Sequence, residues 1–188
     1  MNRRGQIVII IAILIPVVLL FLAVAVDGGR LYTEKAQLQR GLQSGADAGM
    51  SLVAEQMVTL AVARQTAVAQ TQTPTSPFPT ATPFPDDVVA WLTDDDRATL
   101  VSAPIRASVQ AEALAFAERN GIDAADEAIL ELDVVYPQLG YDPYNPSLDV
   151  LRLRISARRH IRFLLAGLLG HEFVEFTSEA VSELRQRK

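Results

Sequence analysis

Apolar residues fill the beginning of the chain without interruption. Residues 6–26 contain no charged side chain, and about 20 apolar residues at ~1.5 Å of helical rise match a hydrocarbon core of ~30 Å. Two arginines precede this stretch and Asp27 follows it, so we predict a transmembrane helix with residues 1–5 in the cytoplasm and the rest outside it. The alternative is a cleaved signal sequence, because residues 23–25 fit an A-x-A cleavage site. The length of the run and its helical continuation favour a retained anchor.

A second hydrophobic pattern, with helical spacing, follows the apolar run. Apolar residues recur at steps of three, four and seven positions: Leu31, Leu38, Leu42, Ala46, Met50, Val53, Met57, Leu60 and Ala61. No proline interrupts the pattern before Pro74, which predicts a juxtamembrane amphipathic helix over residues 27–70 that continues the span. Gly28 and Gly29 are the expected hinge, because adjacent glycines weaken a helix.

Three glycines recur at every fourth position beside this apolar stripe. Each glycine inside a helix costs about 0.8 to 1 kcal/mol relative to alanine, so the repeat predicts that another helix approaches closely. The residues expected to pack against a helix of a partner subunit are Gly41, Gly45, Gly49, Leu38, Leu42, Ala46 and Val53. A frayed helix of small residues is the alternative.

The second half of the chain changes composition twice. Residues 71–85 are rich in threonine and proline and nearly uncharged, which predicts a semi-rigid extended linker. Residues 86–188 have the pattern of a small α+β head, with one clear helix from Ser102 to the pair Asn120-Gly121. We expect the segment from about Ala103 to Leu184 to fold as a self-contained domain.

Three stretches of the head have strand character, which predicts a three-stranded antiparallel sheet with flanking helices. They cover residues 129–136, 148–157 and 172–182, and the clearest apolar and polar alternation lies in the second. The apolar segment 161–170 is too short to cross a membrane, so we interpret it as a helix that is buried or docked on a surface.

The charge and the residue types exclude several functions. The exported part is acidic within a chain of net charge −5, which argues against a nucleic-acid partner. The absence of cysteine excludes disulfides, thiolate nucleophiles and cysteine-based zinc sites. The remaining candidates for chemistry are Asp94 to Asp96, His160 with His171, and Asp142 with Asn145 and Asp149. We interpret them as a helix cap, surface or packing residues, and a turn, and expect no catalytic, metal or cofactor site.

Two short motifs lie in the first part of the juxtamembrane helix. D-x-G-R-x-Y and L-Q-x-x-A-D-A are formed by Asp27, Gly29, Arg30, Tyr32, Leu42, Gln43, Ala46, Asp47 and Ala48. Together they resemble the N-terminal region of TadE/TadG-like proteins of Tad (Flp, type IVc) pilus systems. Ile10 stands where the prepilins of these systems carry glutamate, and the chain has no D-x-S-x-S metal motif of longer TadG-like members.

The resemblance implies a non-enzymatic, membrane-anchored pilus-assembly component, either minor-pilin-like or accessory. Its expected partners are the membrane, other pilus-assembly proteins or pilins, and further copies of the chain. The alternative is a stalked cell-surface binding module that uses the apolar helix only as an anchor, with an enzyme as a distant third hypothesis.

Overall fold

The computed structural model describes residues 3–71, 93–142, 145–163 and 173–184. Its elements are α1 (Arg3–Thr71), α2 (Asp94–Leu100), α3 (Ala103–Arg119), β1 (Ile129–Asp142), β2 (Asn145–Arg162) and β3 (Phe173–Leu184). The long apolar N-terminal helix and the three-stranded antiparallel sheet with accompanying helices are therefore confirmed. Most of the predicted linker 71–85 and of the apolar segment 161–170 lies outside the described residues, as do the side chains of the 142–149 turn.

Helix α1 is one continuous element of 69 residues. At ~1.5 Å of rise per residue it is on the order of 100 Å long. It includes Pro16 and passes without interruption through Gly28 and Gly29, where we expected a hinge. The hydroxyl of Thr33 donates a hydrogen bond to the Gly29 carbonyl at 2.9 Å, so a side chain supplements the backbone pattern at this point.

Helix α2 begins with a capping box. The Thr93 hydroxyl accepts a hydrogen bond from the Asp96 amide at 3.3 Å, and the Asp96 carboxylate accepts one from the Thr93 amide at 3.0 Å. Asp94 and Asp95 lie in the same first turn, where negative charge favours the helix dipole. The interpretation of this acidic triplet as a helix start is confirmed, with Thr93 as the capping residue.

Helix α3 has the ends that the sequence predicts. Ser102 is the N-cap, Pro104 lies in the first turn, and Asn120 is the C-cap. Gly121 follows with φ of 84°, a left-handed conformation that a residue with a Cβ adopts only at a cost. This turn redirects the chain, so that Ile122 enters the core.

The sheet has the order β1-β2-β3 with antiparallel neighbours, and its two faces differ sharply. On the inner face Leu153, Ile155 and Ala157 are buried. On the outer face, charged side chains form ion pairs across the strands: Arg154 with Asp133 at 3.7 Å and Glu179 at 4.0 Å, and Arg158 with Glu131 at 3.6 Å and Glu175 at 4.0 Å. This alternation fixes the register, because a slip of one residue would bury the arginines.

Helix α1 contributes to the same core as α3 and the sheet. That core contains Leu38, Leu42, Ala46, Met50, Val53 and Met57 of α1 together with Leu100, Val109, Ala113, Ala117, Ile122, Ile129, Tyr136, Leu153, Ile155, Ala157 and Ala180. The expected self-contained domain from Ala103 to Leu184 is therefore not what the fold shows. Helix α1 supplies six of the buried side chains of this core, so the core is incomplete without it.

Tyr136 connects the sheet to the end of α2. Its hydroxyl is buried and donates a hydrogen bond to the Leu100 carbonyl at 3.1 Å. Burial raises the pKa of this hydroxyl to about 12, and the positive charge of Arg106 opposes the rise to a smaller extent. The phenol is thus held in its neutral form as a hydrogen-bond donor.

The start of α2 lies against the last turns of α1. The guanidinium of Arg64 forms an ion pair with Asp96 and donates a hydrogen bond to the Thr93 hydroxyl at 3.3 Å. Helix α1 ends only seven residues later, at Thr71. Thr93, where the described chain resumes, therefore lies beside the C-terminal part of α1.

Candidate functional site: the exposed and covered parts of helix α1

The N-terminal part of α1 exposes apolar side chains on every side. The large apolar residues from Ile10 to Val26 that lie on its surface are between 43 and 71% exposed, with Phe21 the most exposed of them. Among the described residues, one helix is long and apolar enough to cross a membrane, and it is this one. A helix that is apolar all round is stable when lipid or other helices surround it, and its length matches a bilayer core.

The exposed part ends where the sheet reaches α1. Asp27 is buried, only 4% exposed, immediately after the last apolar residue of the run. Arg30 donates a hydrogen bond to the Arg162 carbonyl at the end of β2 at 3.5 Å, and Glu34 forms an ion pair with Arg159 at 3.2 Å. These contacts fix the end of the β2–β3 hairpin beside the first polar residues of α1.

The covered part of α1 contains the three glycines, and a helix does approach them closely. A Cβ placed on Gly45 would lie 2.7 Å from the Ala113 carbonyl oxygen of α3, closer than carbon and oxygen normally come. A Cβ on Gly49 would lie 3.2 Å from the Val109 carbonyl oxygen of the same helix. Glycine thus permits the close approach of the two backbones, which is the reason we expected for the repeat.

The covering helix belongs to the same chain. All seven residues assigned to partner packing are buried: Gly41, Gly45, Gly49, Leu38, Leu42, Ala46 and Val53. Gly41 faces Ile122 and Asn120, Gly45 faces α3, and Gly49 also faces Leu153 of β2. The contacts that we expected with a partner subunit are therefore made by the protein's own α3 and sheet.

The residues of the D-x-G-R-x-Y motif have different environments. Asp27 is buried and Arg30 contacts the end of β2, as described above. Tyr32 points away from the head and is 78% exposed, while a Cβ on Gly29 would meet no atom within 4 Å. One side of this motif therefore contacts the head, and the other is open.

The second motif also divides between core and surface. Leu42 and Ala46 are buried in the core, whereas the amide of Gln43 donates a hydrogen bond to the exposed Asp47 carboxylate at 3.0 Å. Asp47 lines an open groove of about 620 Å³ between α1 and α3, together with Glu112 of α3. The polar half of the motif thus faces solvent beside the helix crossing.

Several contacts of this site were missed in the sequence. The Asn120 amide reaches from the end of α3 to the Ser44 hydroxyl of α1 at 3.1 Å, and Gln39 donates to the Glu179 carbonyl of β3 at 2.9 Å. Gln39 and Ser44 border the apolar stripe of α1, and this position was the available sign in the sequence that they contact the head. They fix the rotation of α1 against α3 and β3.

The described residues contain no group of three or more histidine, aspartate or glutamate side chains that could hold a metal ion. His160 packs edge-on against Phe173, with ring centroids 6.3 Å apart, while His171 lies outside the described residues. The contacts described above are packing contacts along α1.

The comparison with protein families gives a match to the N-terminal part of the chain. The model described as "Putative Flp pilus-assembly TadE/G-like" matches residues 5–54, which cover the exposed part of α1 and the three glycines of its covered part. No curated protein and no solved structure matches the chain.

Proposed function

Because residues 5–54 match the TadE/G-like family of Flp pilus assembly, we propose that the chain is a membrane-anchored component of a Tad-type pilus apparatus. Residues 6–26 cross the membrane once, residues 1–5 stay in the cytoplasm, and the head lies outside it. The protein acts without catalysis, as a minor-pilin-like or accessory subunit that packs its helix against other subunits.

The division of α1 into an exposed apolar part and a covered part carries this proposal. Neither α3 nor the sheet covers the large apolar residues between Ile10 and Val26. Exposing this much apolar surface to water costs about 25 cal/mol per Å², so lipid or other helices must surround it. The helix continues unbroken into the core, which supports a retained anchor over a cleaved signal.

Partner subunits are proposed to bind this apolar part of α1. The glycine face cannot serve them in this fold, because α3 and β2 occupy it. In the membrane, pilins, other assembly proteins or a second copy of the chain would pack beside residues 10–26 through close van der Waals contact. The stalked binding module is less well supported, since α2 and the sheet lie directly on α1.

The natural absence of cysteine allows a direct test of the topology. Two single-cysteine variants, Asn2→Cys and Thr177→Cys, place a thiol at the N-terminus and on an exposed position of β3. In intact spheroplasts a membrane-impermeant maleimide should label Thr177→Cys, and it should label Asn2→Cys only after lysis. Labelling of Asn2→Cys in intact spheroplasts would contradict the orientation, and recovery of Thr177→Cys in the soluble fraction would contradict the anchor.

A second experiment separates anchoring from partner binding. Residues 10–26 are replaced by a polyleucine run of the same length, which still spans the membrane but presents a different surface. The variant should remain in the membrane and lose co-purification with the pilus proteins. Unchanged co-purification would show that this part of α1 serves only as an anchor.

A further inference from the structure

The end of the β2–β3 hairpin lies at the level where α1 leaves its apolar run. Arg162 and Phe173 are paired as the last residue of β2 and the first of β3. Arg30 of α1 holds this end through its hydrogen bond to the Arg162 carbonyl at 3.5 Å. The hairpin therefore runs towards the membrane that the proposed function assigns to α1, and the inference below rests on that span.

The height of this contact follows from helix geometry. Arg30 comes four residues after Val26, and a rise of ~1.5 Å per residue places it ~6 Å beyond the apolar run. A bilayer has a hydrocarbon core of about 30 Å and a total thickness of about 40 to 45 Å, so each headgroup layer is roughly 5 to 8 Å deep. Arg30 and the hairpin end thus lie at the depth of the headgroups.

The side chains at this end suit that environment. Phe173 is 59% exposed although it is aromatic and apolar. Phe163, which directly follows β2, is half-buried. Arg30 and Arg162 are both exposed and offer guanidinium groups, which bind phosphate well. The sequence between the two strands, residues 163–172, is mostly apolar and contains one charged residue, Glu172.

We propose that the hairpin end formed by Arg30, Arg162, Phe163 and Phe173 docks on the surface of the membrane that α1 spans. The phenylalanines enter the boundary between headgroups and acyl chains, and the arginines bind lipid phosphates. The head then contacts the bilayer at a second place besides α1. Two separate contacts fix the tilt of the head relative to the membrane, which one helix alone would leave free.

Lipid quenching of a single tryptophan tests this contact in the full-length chain. Trp91→Phe removes the only natural tryptophan, and either Phe173→Trp or Val181→Trp supplies the probe. Both positions lie on the outer face of β3, and Val181 is also exposed, at 40%. Eight residues of strand separate them, or about 27 Å. Val181→Trp is therefore a matched control that lies far from the membrane.

The proteins are reconstituted in phosphatidylcholine and phosphatidylglycerol vesicles, with or without bromine on the acyl chains, and flotation first shows whether they are anchored. Brominated lipid should quench the Phe173→Trp fluorescence and leave that of Val181→Trp unchanged. Equal urea unfolding midpoints of the two variants check that both are folded.

The other outcomes contradict the inference in distinguishable ways. If the chain floats and neither probe is quenched, the anchor holds and the docking is refuted. A blue-shifted but unquenched probe at position 173 would show that protein covers it instead, and equal quenching at both positions would mean that the head lies flat on the membrane. If the chain does not float, the membrane anchor of the proposed function fails and the docking fails with it.

Discussion

Replacing Gly45 with alanine tests the central contact of the fold, the crossing of α1 and α3. The new methyl group would lie 2.7 Å from the Ala113 carbonyl oxygen, 3.3 Å from the Ala117 Cβ and 3.4 Å from the Ile155 Cδ1. The nearest of these atoms belongs to the backbone of a helix and cannot rotate away. The two helices must therefore move apart, and the core between them loses contacts.

The expected magnitude is the difference between two effects. Alanine stabilises a helix interior by about 1 kcal/mol relative to glycine. Overpacking a filled core costs about 1 to 3 kcal/mol, so Gly45→Ala should lower the free energy of unfolding by roughly 0 to 2 kcal/mol. Gly28→Ala is the matched control, because a Cβ there meets no atom within 4 Å. It should be at least as stable as the wild type.

Urea unfolding of the full-length protein in detergent micelles measures both variants, and hydrogen exchange of α3 amides locates the change. Protection should fall around Ala113 in Gly45→Ala and stay unchanged in Gly28→Ala. If Gly45→Ala instead gained about 1 kcal/mol with full protection of α3, the helices would not cross at this residue and the assigned core would be wrong.

Three further variants test other parts of the head. Tyr136 has a pKa raised from 10.0 to about 12, so its contribution is complete below pH 10 and is lost as the pH rises through about 12. Tyr136→Phe should remove this alkaline decrease in the free energy of unfolding, which amounts to at most roughly 3 kcal/mol. Urea unfolding on both sides of pH 10 measures it, and an unchanged decrease would exclude this phenol as its cause. Gly121→Ala should cost about 1 to 2 kcal/mol through its φ of 84° alone, since no atom lies within 4 Å; a stability equal to wild type would contradict the assigned turn. Arg154→Ala on the outer sheet face should change the unfolding free energy by less than about 1 kcal/mol, and a larger loss would mean that this face is covered.

The extent of α1 and the face it buries could be predicted from local spacing. The apolar steps between Leu38 and Met57 identify the buried stripe, and the glycine repeat identifies the place of a close helix approach. Which helix makes that approach could not be predicted, because the spacing describes one surface and carries no information about its cover. Ala113 and Ala117 of α3 are the small residues that complete the crossing, and they were recognised only as part of a buried face.

The contact between the start of α2 and α1 was not predictable from composition. Threonine and proline predict an extended linker over residues 71–85, most of which lie outside the described residues. The Arg64 contacts with Thr93 and Asp96 join α2 to α1, and such contacts between distant residues leave no periodic signal. In β1, by contrast, the strand continues beyond the predicted end at Tyr136, because pairing with β2 continues past Pro137 with a register shift.

The unbroken course of α1 through Gly28 and Gly29 follows from its contacts with the head. Two glycines cost a helix interior about 2 kcal/mol relative to alanine, so local propensity favours a bend at the membrane surface. Asp27, just before the two glycines, is buried, and Arg30 and Glu34, just after them, contact the head. These contacts oppose the bend. The same contacts join the membrane part of the helix to the head. We therefore expect a displacement of the N-terminal part of α1 to move the sheet with it, since no break in the helix separates the two.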